Sequence, residues 1–335
     1  MNGPELEAIS ILPPHERHYV AMLAIELRDP NQTMTLVLSS LEIPTRTDIA
    51  GYQENQNVIA QRCHRITTNL VIKNAKGEVL LVYRPRHHRD AHSIINRTAE
   101  ALTSFLAKRK VMAPDSDIRH TGLDRTKLDQ LYGQGNYGTV RCACWFEEGK
   151  PHDGPMVSRE MLTGSRTFAT CCKLIADLGP LKHQLSLLYA AASPVSWRNC
   201  VDRFAKLRKY IPATRVLTLS EIDPWCSLAL VANIPSNCHR DVHDARHHLS
   251  ALACSGDFGS SWMVLYCIRA RLQYTPSDGL LLNTFLLPHF VQTCHPKQEE
   301  TKNKTNPQRF GLSFFNHQSV LAWIKEEHAR RNTNC

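Results

Sequence analysis

Ser236-Asn-Cys-His-Arg-Asp-Val-His-Asp244 is the stretch that decides how the whole chain is interpreted. Its central triplet is His239-Arg-Asp241. If this triplet lies on a β-strand, residues two apart point to the same face, so the imidazole and the carboxylate can bind one metal ion together. An isolated His-x-Asp triplet is common by chance, and the interpretation therefore depends on the residues downstream of it.

A metal held by this pair needs a third ligand from a distant strand. His289 follows Asp241 by 48 positions (289 − 241), and the apolar run 280–286 leads directly to it. His295 is the alternative, because it lies closer in sequence to Arg309. Two His and one carboxylate on one face of Fe(II) leave three coordination positions open for a 2-oxo acid and O₂.

The sequence also offers a cation for such a co-substrate. Arg309 opens the last β-like run, Arg309-Phe-Gly-Leu-Ser-Phe-Phe315, downstream of His289. A guanidinium is permanently charged and forms a two-pronged pair with a carboxylate. We therefore predict that His239, Asp241 and His289 bind Fe(II), and that Arg309 anchors the distal carboxylate of 2-oxoglutarate.

The hydrophobic pattern around these residues predicts an α+β protein with a double-stranded β-helix (jelly roll) core. From about residue 214, short apolar runs alternate with turn residues. The runs are 227–234, 249–254, 262–268, 271–274, 280–286 and 309–315. This cadence is typical of antiparallel sandwiches and jelly rolls.

The upstream half is predicted to support this core. The expected elements are an N-terminal β-hairpin over 69–83, a helix over 91–110 and a helical region over 158–210 that breaks near Gly179 and Pro194. Polar residues over 45–62 and 297–308 predict loops. We divide the chain into an N-terminal α/β region (1–155), a helical support (156–212) and the dioxygenase core (213–328).

The composition indicates an intracellular protein with a polyanionic partner. The chain has 335 residues, 12 cysteines without a CxxC pair, and a formal net charge of +9. Scattered cysteines are typical of reduced thiols, and no apolar run approaches the roughly 20 residues that cross a bilayer. The acidic N-terminus lacks the apolar core of a secretory signal. We expect a nuclear or cytoplasmic protein with nucleic acid as its partner, no membrane association and no obligate protein partner.

A second motif gives a competing interpretation. Gly133-Gln-Gly-Asn-Tyr-Gly-Thr-Val140, His239-Arg-Asp241 and Asp257-Phe-Gly259 occur in the order of the glycine loop, catalytic loop and metal-binding triplet of protein kinases. However, Arg246 stands where the catalytic loop needs Asn, and no lysine strand of the V-A-I-K type follows the glycine segment. Only 76 residues remain after Gly259 (335 − 259). These departures disfavour a kinase.

A longer pattern extends from about Asp223 to Ile324. It comprises Asn233, His239-Arg-Asp241, Ser255-Gly-Asp-Phe258, Leu272-Gln-Tyr-Thr-Pro276, His289, Arg309, and an aromatic-rich end from Phe314-Phe315 to Trp323-Ile324. In this pattern the chain resembles the TET/JBP-like 2-oxoglutarate dioxygenases that are associated with fungal Kyakuja-Dileera-Zisupton transposons.

The resemblance implies a double-stranded β-helix, Fe(II), 2-oxoglutarate and O₂ as cofactors, and oxidation of a methylated base, with 5-methylcytosine in DNA favoured. It assigns the iron to His239, Asp241 and His289, and the co-substrate to Arg309. The alternatives are a dioxygenase of a non-nucleic-acid substrate and an inactive nucleic-acid-binding relic.

One departure from the family bears on the substrate. The family often has Asn three residues after the metal Asp, where this chain has Asp244. We expect Asp244 to contact the substrate. A carboxylate there can accept a hydrogen bond from the exocyclic amine of cytosine but cannot donate one, so the base identity stays open.

Overall fold

The computed structural model describes residues 1–39, 56–87, 92–111, 118–120, 122–146, 154–218, 220–258, 261–292 and 308–333. Its α-helices, in chain order, are α1 (Gly3–Ala8), α2 (Pro14–Arg28), α3 (Gln56–Arg62), α4 (His92–Lys108), α5 (Arg125–Tyr132), α6 (Ser165–Asp177), α7 (Gly179–Ala192), α8 (Pro194–Tyr210) and α9 (Gln318–Thr333). Short 3-10 turns lie at Ile118–His120, Pro212–Leu217 and Tyr266–Ile268.

The strands form a large sheet, a smaller one that packs on it, and a short two-stranded ribbon. They are β1 (Thr33–Leu38), β2 (His64–Ile66), β3 (Asn69–Asn74), β4 (Val79–Arg84), β5 (Gly138–Cys142), β6 (Cys144–Trp145), β7 (Met156–Val157), β8 (Ser227–Ala232), β9 (Ser250–Asp257), β10 (Trp262–Leu265), β11 (Ala270–Gln273), β12 (Gly279–Leu282), β13 (Phe290–Val291) and β14 (Gln308–Phe315).

The eight-stranded sheet has the order β1-β3-β4-β12-β9-β14-β8-β5, and the four-stranded sheet has the order β13-β10-β11-β2. The pairs β1–β3 and β2–β11 are parallel, and the other strand pairs of these two sheets are antiparallel. The mixed α+β fold with a double-stranded β-helix core is therefore confirmed.

Side chains that alternate along the strands of the large sheet pack into two hydrophobic cores, one on each face of the sheet. On β12, Leu281 packs with the helices, whereas Leu280 and Leu282 pack against the smaller sheet. On β9, Ala251 and Ala253 lie on the helix side in the same way. Because side chains alternate between the faces of a strand, a sheet buried on both faces requires near-continuous apolar runs.

Most upstream predictions agree with the structure. The hairpin over 69–83 forms as β3 and β4, and the helical region over 158–210 breaks at Gly179 and Pro194. Part of the loop predicted over 45–62 is wrong: α3 covers 56–62, because Ile59 and Ala60 pack beneath the smaller sheet. Residues 45–55 of that prediction, and nearly all of the loop predicted over 297–308, lie outside the described residues.

The proposed division of the chain into three regions stays a prediction. Strands β1, β3, β4 and β5 from the first region pair within the same large sheet as the strands of the third region. Within the part of the chain that the structure describes, no helix is both long enough and apolar enough to cross a membrane.

Gly256 holds β9 against β14 at the level of Arg309. The φ of Gly256 is +112°, and Gly256 is the ladder partner of Arg309. A Cβ at position 256 would collide with the backbone carbonyl of Gln308. Only glycine combines this backbone conformation with so close an approach of the neighbouring strand.

We predict that Gly256→Ala lowers the free energy of unfolding by about 2–5 kcal/mol, the sum of backbone strain and a backbone collision. Gly77→Ala is the matched control: Gly77 also has a positive φ, of +81°, but open space surrounds the position of its Cβ, so we expect about 1 kcal/mol. Urea denaturation of both variants measures the difference. Equal losses would contradict this account of Gly256.

Candidate metal centre

His239 and His289 are held side by side by the backbone. Each amide donates to the carbonyl of the other, at 3.1 Å from His239 and 3.0 Å from His289, in an isolated antiparallel bridge. The centroids of the two imidazole rings are 4.5 Å apart. Two residues 50 positions apart (289 − 239) therefore present their rings to one point.

Backbone carbonyls orient both rings. Nδ1 of His239 lies 2.7 Å from the carbonyl oxygen of Asn237, and Nδ1 of His289 lies 3.0 Å from that of Leu287. A carbonyl only accepts, so each Nδ1 carries the proton and each Nε2 keeps its lone pair. Both Nε2 atoms lie 3.8 Å from carboxylate oxygens of Asp241.

The three side chains together offer a metal-binding donor set. One ligand atom from each of His239, Asp241 and His289 lies within 4.8 Å of the others, in a largely buried position. Burial and the neighbouring His289 lower the pKa of His239 to about 3, and burial also lowers the pKa of His289 although Asp241 opposes this. Both rings are therefore neutral near pH 7, as metal coordination requires.

Arg119 was missed by the sequence reasoning. Its Nη1 donates to Oδ1 of Asp241 at 3.2 Å, and its carbonyl accepts from the amide of Asn237 at 2.7 Å. Burial raises the pKa of Asp241, but His239, His289 and Arg119 outweigh it, so the pKa is lowered overall. An arginine 120 positions before His239 (239 − 119) carries no motif that would have identified it.

The cluster of His239, Asp241 and His289 opens into a cavity of about 570 Å³. Its floor is one face of four neighbouring strands, β5, β8, β14 and β9. The lining residues form two rows across these strands, Thr139, Val231 and Gly311 in one, and Arg141, Ala229, Ser313 and Leu252 in the other. Members of a row are ladder partners, so the register of the sheet sets the shape of the floor.

Arg309 lies on the same face of β14, two residues before Gly311, and lines the cavity while only 3% exposed. Its guanidinium lies over the Cα of Gly311, since a Cβ there would be 3.7 Å from Nη1 and Nη2. Nε donates to Oγ of Ser261 at 3.0 Å, and Cζ lies 5.4 Å from the centre of the Tyr274 ring. Among the described residues no carboxylate pairs with this cation.

Asp244 lies in the wall of the cavity that His239, Asp241 and His289 also line. Its Oδ2 accepts hydrogen bonds from Thr284 at 2.6 Å and from Ser250 at 3.0 Å. Burial raises the pKa of Asp244 well above its usual value, and the nearby charge of Asp241 adds to the effect. The expectation that Asp244 contacts the substrate stays a prediction.

His317 is a second cavity residue that the sequence reasoning missed. Its backbone forms an isolated antiparallel β-bridge with that of Asp244, and its ring stacks on the His243 ring with centroids 5.6 Å apart. The rings of Trp145 and Phe315 also lie within 6.3 Å of it. The cavity therefore combines polar groups at Asp244 and His317 with aromatic walls, a combination suited to a planar polar ligand.

The fold is similar to that of proteins with solved structures. NgTET1 in complex with 5mC DNA matches at 14% sequence identity with a TM-score of 0.52, over 83% of this chain and 92% of that chain. The chain shares its fold with NgTET1. No protein-family model matches the sequence, and no curated protein matches it either.

Two further structures match more weakly. The C-terminally truncated Neurospora crassa protein NcT7HdeltaC, in apo form, has a TM-score of 0.28 and 11% identity, over 84% of this chain and 94% of that chain. A bsmA homologue from Methylobium petroleophilum PM1 has a TM-score of 0.25 and 11% identity, over 71% and 89% of the two chains.

The structure brings most of the predicted site residues together. His239, Asp241 and His289 form one cluster, and Arg309 and Asp244 line the same cavity. The alternative third ligand, His295, lies outside the described residues.

The fold overturns the kinase interpretation. The segment Gly133–Gly138 is the turn that leads from α5 into β5, within a β-helix and not a kinase lobe.

Proposed function

We propose that the chain is an Fe(II)- and 2-oxoglutarate-dependent dioxygenase that oxidises a methylated nucleic-acid base, with 5-methylcytosine in DNA as the favoured substrate. The observation that carries the proposal is the buried His239/Asp241/His289 set at the end of a cavity that also contains Arg309, a cation without a carboxylate partner among the described residues. The fold shared with NgTET1 supports it.

The donor set fits ferrous iron. Two neutral imidazole nitrogens and one carboxylate oxygen are the ligands of the facial triad of non-haem Fe(II) oxygenases. The carbonyls of Asn237 and Leu287 fix the rings by their Nδ1 protons, a contact that usually accompanies metal-binding histidines. In this proposal His239, Asp241 and His289 hold the iron, and Arg119 holds one oxygen of Asp241 in place.

The surroundings of Arg309 fit 2-oxoglutarate. A buried guanidinium that lacks a counter-charge is costly, and a ligand carboxylate removes that cost. Ser261 and Tyr274 hold the guanidinium by its Nε and its face, which leaves its other nitrogens for the ligand. When bound, Fe(II), 2-oxoglutarate and O₂ would supply the oxidation of a substrate C–H bond, with succinate and CO₂ as co-products.

In this proposal a flipped base enters the part of the cavity beside Asp244 and His317. A base inside a duplex is out of reach, so the enzyme must extrude it into the cavity. Asp244 and His317 would then contact its polar edge, and Phe315 would contact its face. NgTET1 is a complex with 5mC DNA, and the net charge of +9 of this chain suits a polyanion. The association with fungal transposons rests on the sequence resemblance alone, and a nuclear or cytoplasmic location rests on the composition alone.

The test is succinate release by the purified chain with Fe(II), ascorbate and 2-oxoglutarate, in the presence of methylated or unmethylated DNA. The expected result is release that rises with methylated DNA and disappears in the His239→Ala/Asp241→Ala variant. Release that is equal with both DNAs would favour a different substrate. Absence of both release and bound iron would leave an inactive nucleic-acid-binding protein.

We predict that Asp244→Asn lowers the amount of oxidised base per succinate released by about tenfold, the lower end of the effect of one base contact. The reason is that Oδ2 of Asp244 accepts from Thr284 and Ser250, so the amide oxygen of Asn would take that place. Its NH₂ would then face the base and could not accept from an exocyclic amine, while iron and 2-oxoglutarate bind elsewhere. Mass spectrometry of the nucleosides and succinate quantification give the ratio. Asp202→Asn, an exposed position on α8, is the matched control. An unchanged ratio in Asp244→Asn would remove this residue from the substrate site.

A further inference from the structure

Two arginines meet on the outer face of the smaller sheet. Arg65 of β2 and Arg271 of β11 are ladder partners in the parallel pair. The ring of Trp262, at the start of β10, lies between 4.7 and 5.1 Å from their Cζ atoms. Both guanidinium groups therefore lie over the same indole ring, whose electron-rich face attracts cations.

This pair has no anion within the described part of the chain. No carboxylate of the described residues lies within ion-pair distance of Arg65 or Arg271, and Nε of Arg271 is buried without a hydrogen-bond partner among them. Like charges directly opposite each other on a sheet are destabilising, and a buried donor without an acceptor adds to the cost. An anion that binds between the two arginines would remove the repulsion between their charges.

A third cation extends the surface. Arg269 is exposed at the turn before β11, and its carbonyl accepts from the amide of His64 at 2.8 Å. With Arg65 and Arg271 it lies at the same end of the paired strands β2 and β11. These three arginines and Trp262 form what we call the Arg–Trp surface.

The Arg–Trp surface lies behind the wall of the cavity. Met263, the next residue after Trp262, lines the cavity from the opposite face of β10. Trp262 itself packs at the edge of a small cluster with Val264 and Phe290 and is half-buried. The sheet that walls the cavity therefore carries cations and a half-buried indole on its other face. Cations beside an aromatic ring are a combination that binds a nucleic-acid strand without reading its sequence.

We propose that Arg65 and Arg271, ordered by Trp262, bind backbone phosphates of the nucleic acid whose base enters the cavity. This inference rests on the proposed function. Arg65 and Arg269 are exposed beside the half-buried Arg271, so the Arg–Trp surface can follow an extended phosphodiester chain. A purely structural role, in which Trp262 only packs the arginine stems, predicts no effect on the salt dependence of nucleic-acid binding.

The experiment compares Arg65→Gln/Arg271→Gln with the unaltered full chain. Fluorescence anisotropy of a labelled duplex that contains one 5-methylcytosine gives Kd over a series of salt concentrations. Affinity falls as salt rises, and each lost phosphate contact makes the slope of log K against log salt less steep by about 0.9. The slope of the double variant should therefore be less steep by about 2. Arg65→Lys/Arg271→Lys retains the charges and should restore most of the slope.

Arg17→Gln/Arg166→Gln is the matched control. It removes the same charge from exposed positions on α2 and α6, on the helical side of the large sheet, and should leave the slope unchanged. Thermal unfolding verifies that each variant is folded.

A slope that is equal in the Gln variant and the unaltered chain, in a protein that still releases succinate with methylated DNA, would overturn this inference alone. A loss of slope that Lys does not restore would also overturn it, since a phosphate contact tolerates either cation. An unaltered chain without affinity for nucleic acid would overturn both the inference and the nucleic-acid part of the proposed function.

Discussion

His289→Ala is expected to abolish iron binding and to lower succinate release by about a thousandfold, whereas His295→Ala retains the iron. A metal contributes several kcal/mol to the transition state, and each 1.36 kcal/mol is a factor of ten in rate. His289 is the histidine that the backbone bridge holds against His239, with Nε2 directed at Asp241. Metal analysis after anaerobic loading with Fe(II), followed by succinate quantification, measures both effects.

The pair of variants also separates the two candidates for the third ligand. His289 is 4% exposed, so its removal leaves a small cavity, and thermal unfolding must show that the variant is folded. If His295→Ala loses the iron and His289→Ala keeps it, the assignment of the third ligand is wrong. If both variants keep stoichiometric iron, the proposed metal centre is wrong as a whole.

Arg309→Gln is expected to raise the KM for 2-oxoglutarate by about a hundredfold or more, while Fe(II) still binds. Loss of one partner from a desolvated charge pair costs at least about 2–3 kcal/mol, because the other charge is left buried without its counter-ion. Initial rates of succinate release over a range of 2-oxoglutarate concentrations give the KM. Anaerobic titration with Fe(II) shows separately that the metal site is intact.

Two further variants make this result specific. Arg309→Lys keeps the charge but loses the two-pronged geometry, so its KM should lie between those of the unaltered chain and Arg309→Gln. Arg17→Gln removes an exposed arginine on α2 and should leave the KM unchanged. An unchanged KM in folded Arg309→Gln would assign the 2-oxoglutarate anchor to another cation of the cavity, and Arg119 would be the first to examine.

Local chemistry was readable from the sequence wherever a short pattern determines it. Short apolar runs separated by turn residues predicted the hairpin β3–β4 and the strands of the core, because a strand buried on both faces must be apolar throughout. The spacing of His239 and Asp241 predicted that their side chains share a direction if the triplet lies on a strand. Of the two, only His239 forms a β-bridge and Asp241 lies in irregular chain, yet the two side chains do converge. The apolar run before His289 selected that residue from the two candidates, and the structure then placed it in the cluster.

Loops and contacts between distant segments were harder to predict. The polar stretch over 45–62 predicted a loop, although two apolar residues within it, Ile59 and Ala60, anchor α3 beneath the smaller sheet. Burial by a distant sheet overrode the local composition there. Asp244 presents the same problem, since its raised pKa depends on burial, which a sequence does not display.

The sequence by itself determined the ligand types, their order along the chain and the strand periodicity, since these depend on residue identity and near neighbours. Only the tertiary structure decided that Arg119 reaches Asp241, that His317 lies beside Asp244, and that Arg65 and Arg271 meet on Trp262. These contacts join residues 122, 73 and 206 positions apart (241 − 119, 317 − 244 and 271 − 65). The pairing of strands and the closure of the β-helix bring such residues together, and no local pattern encodes that register.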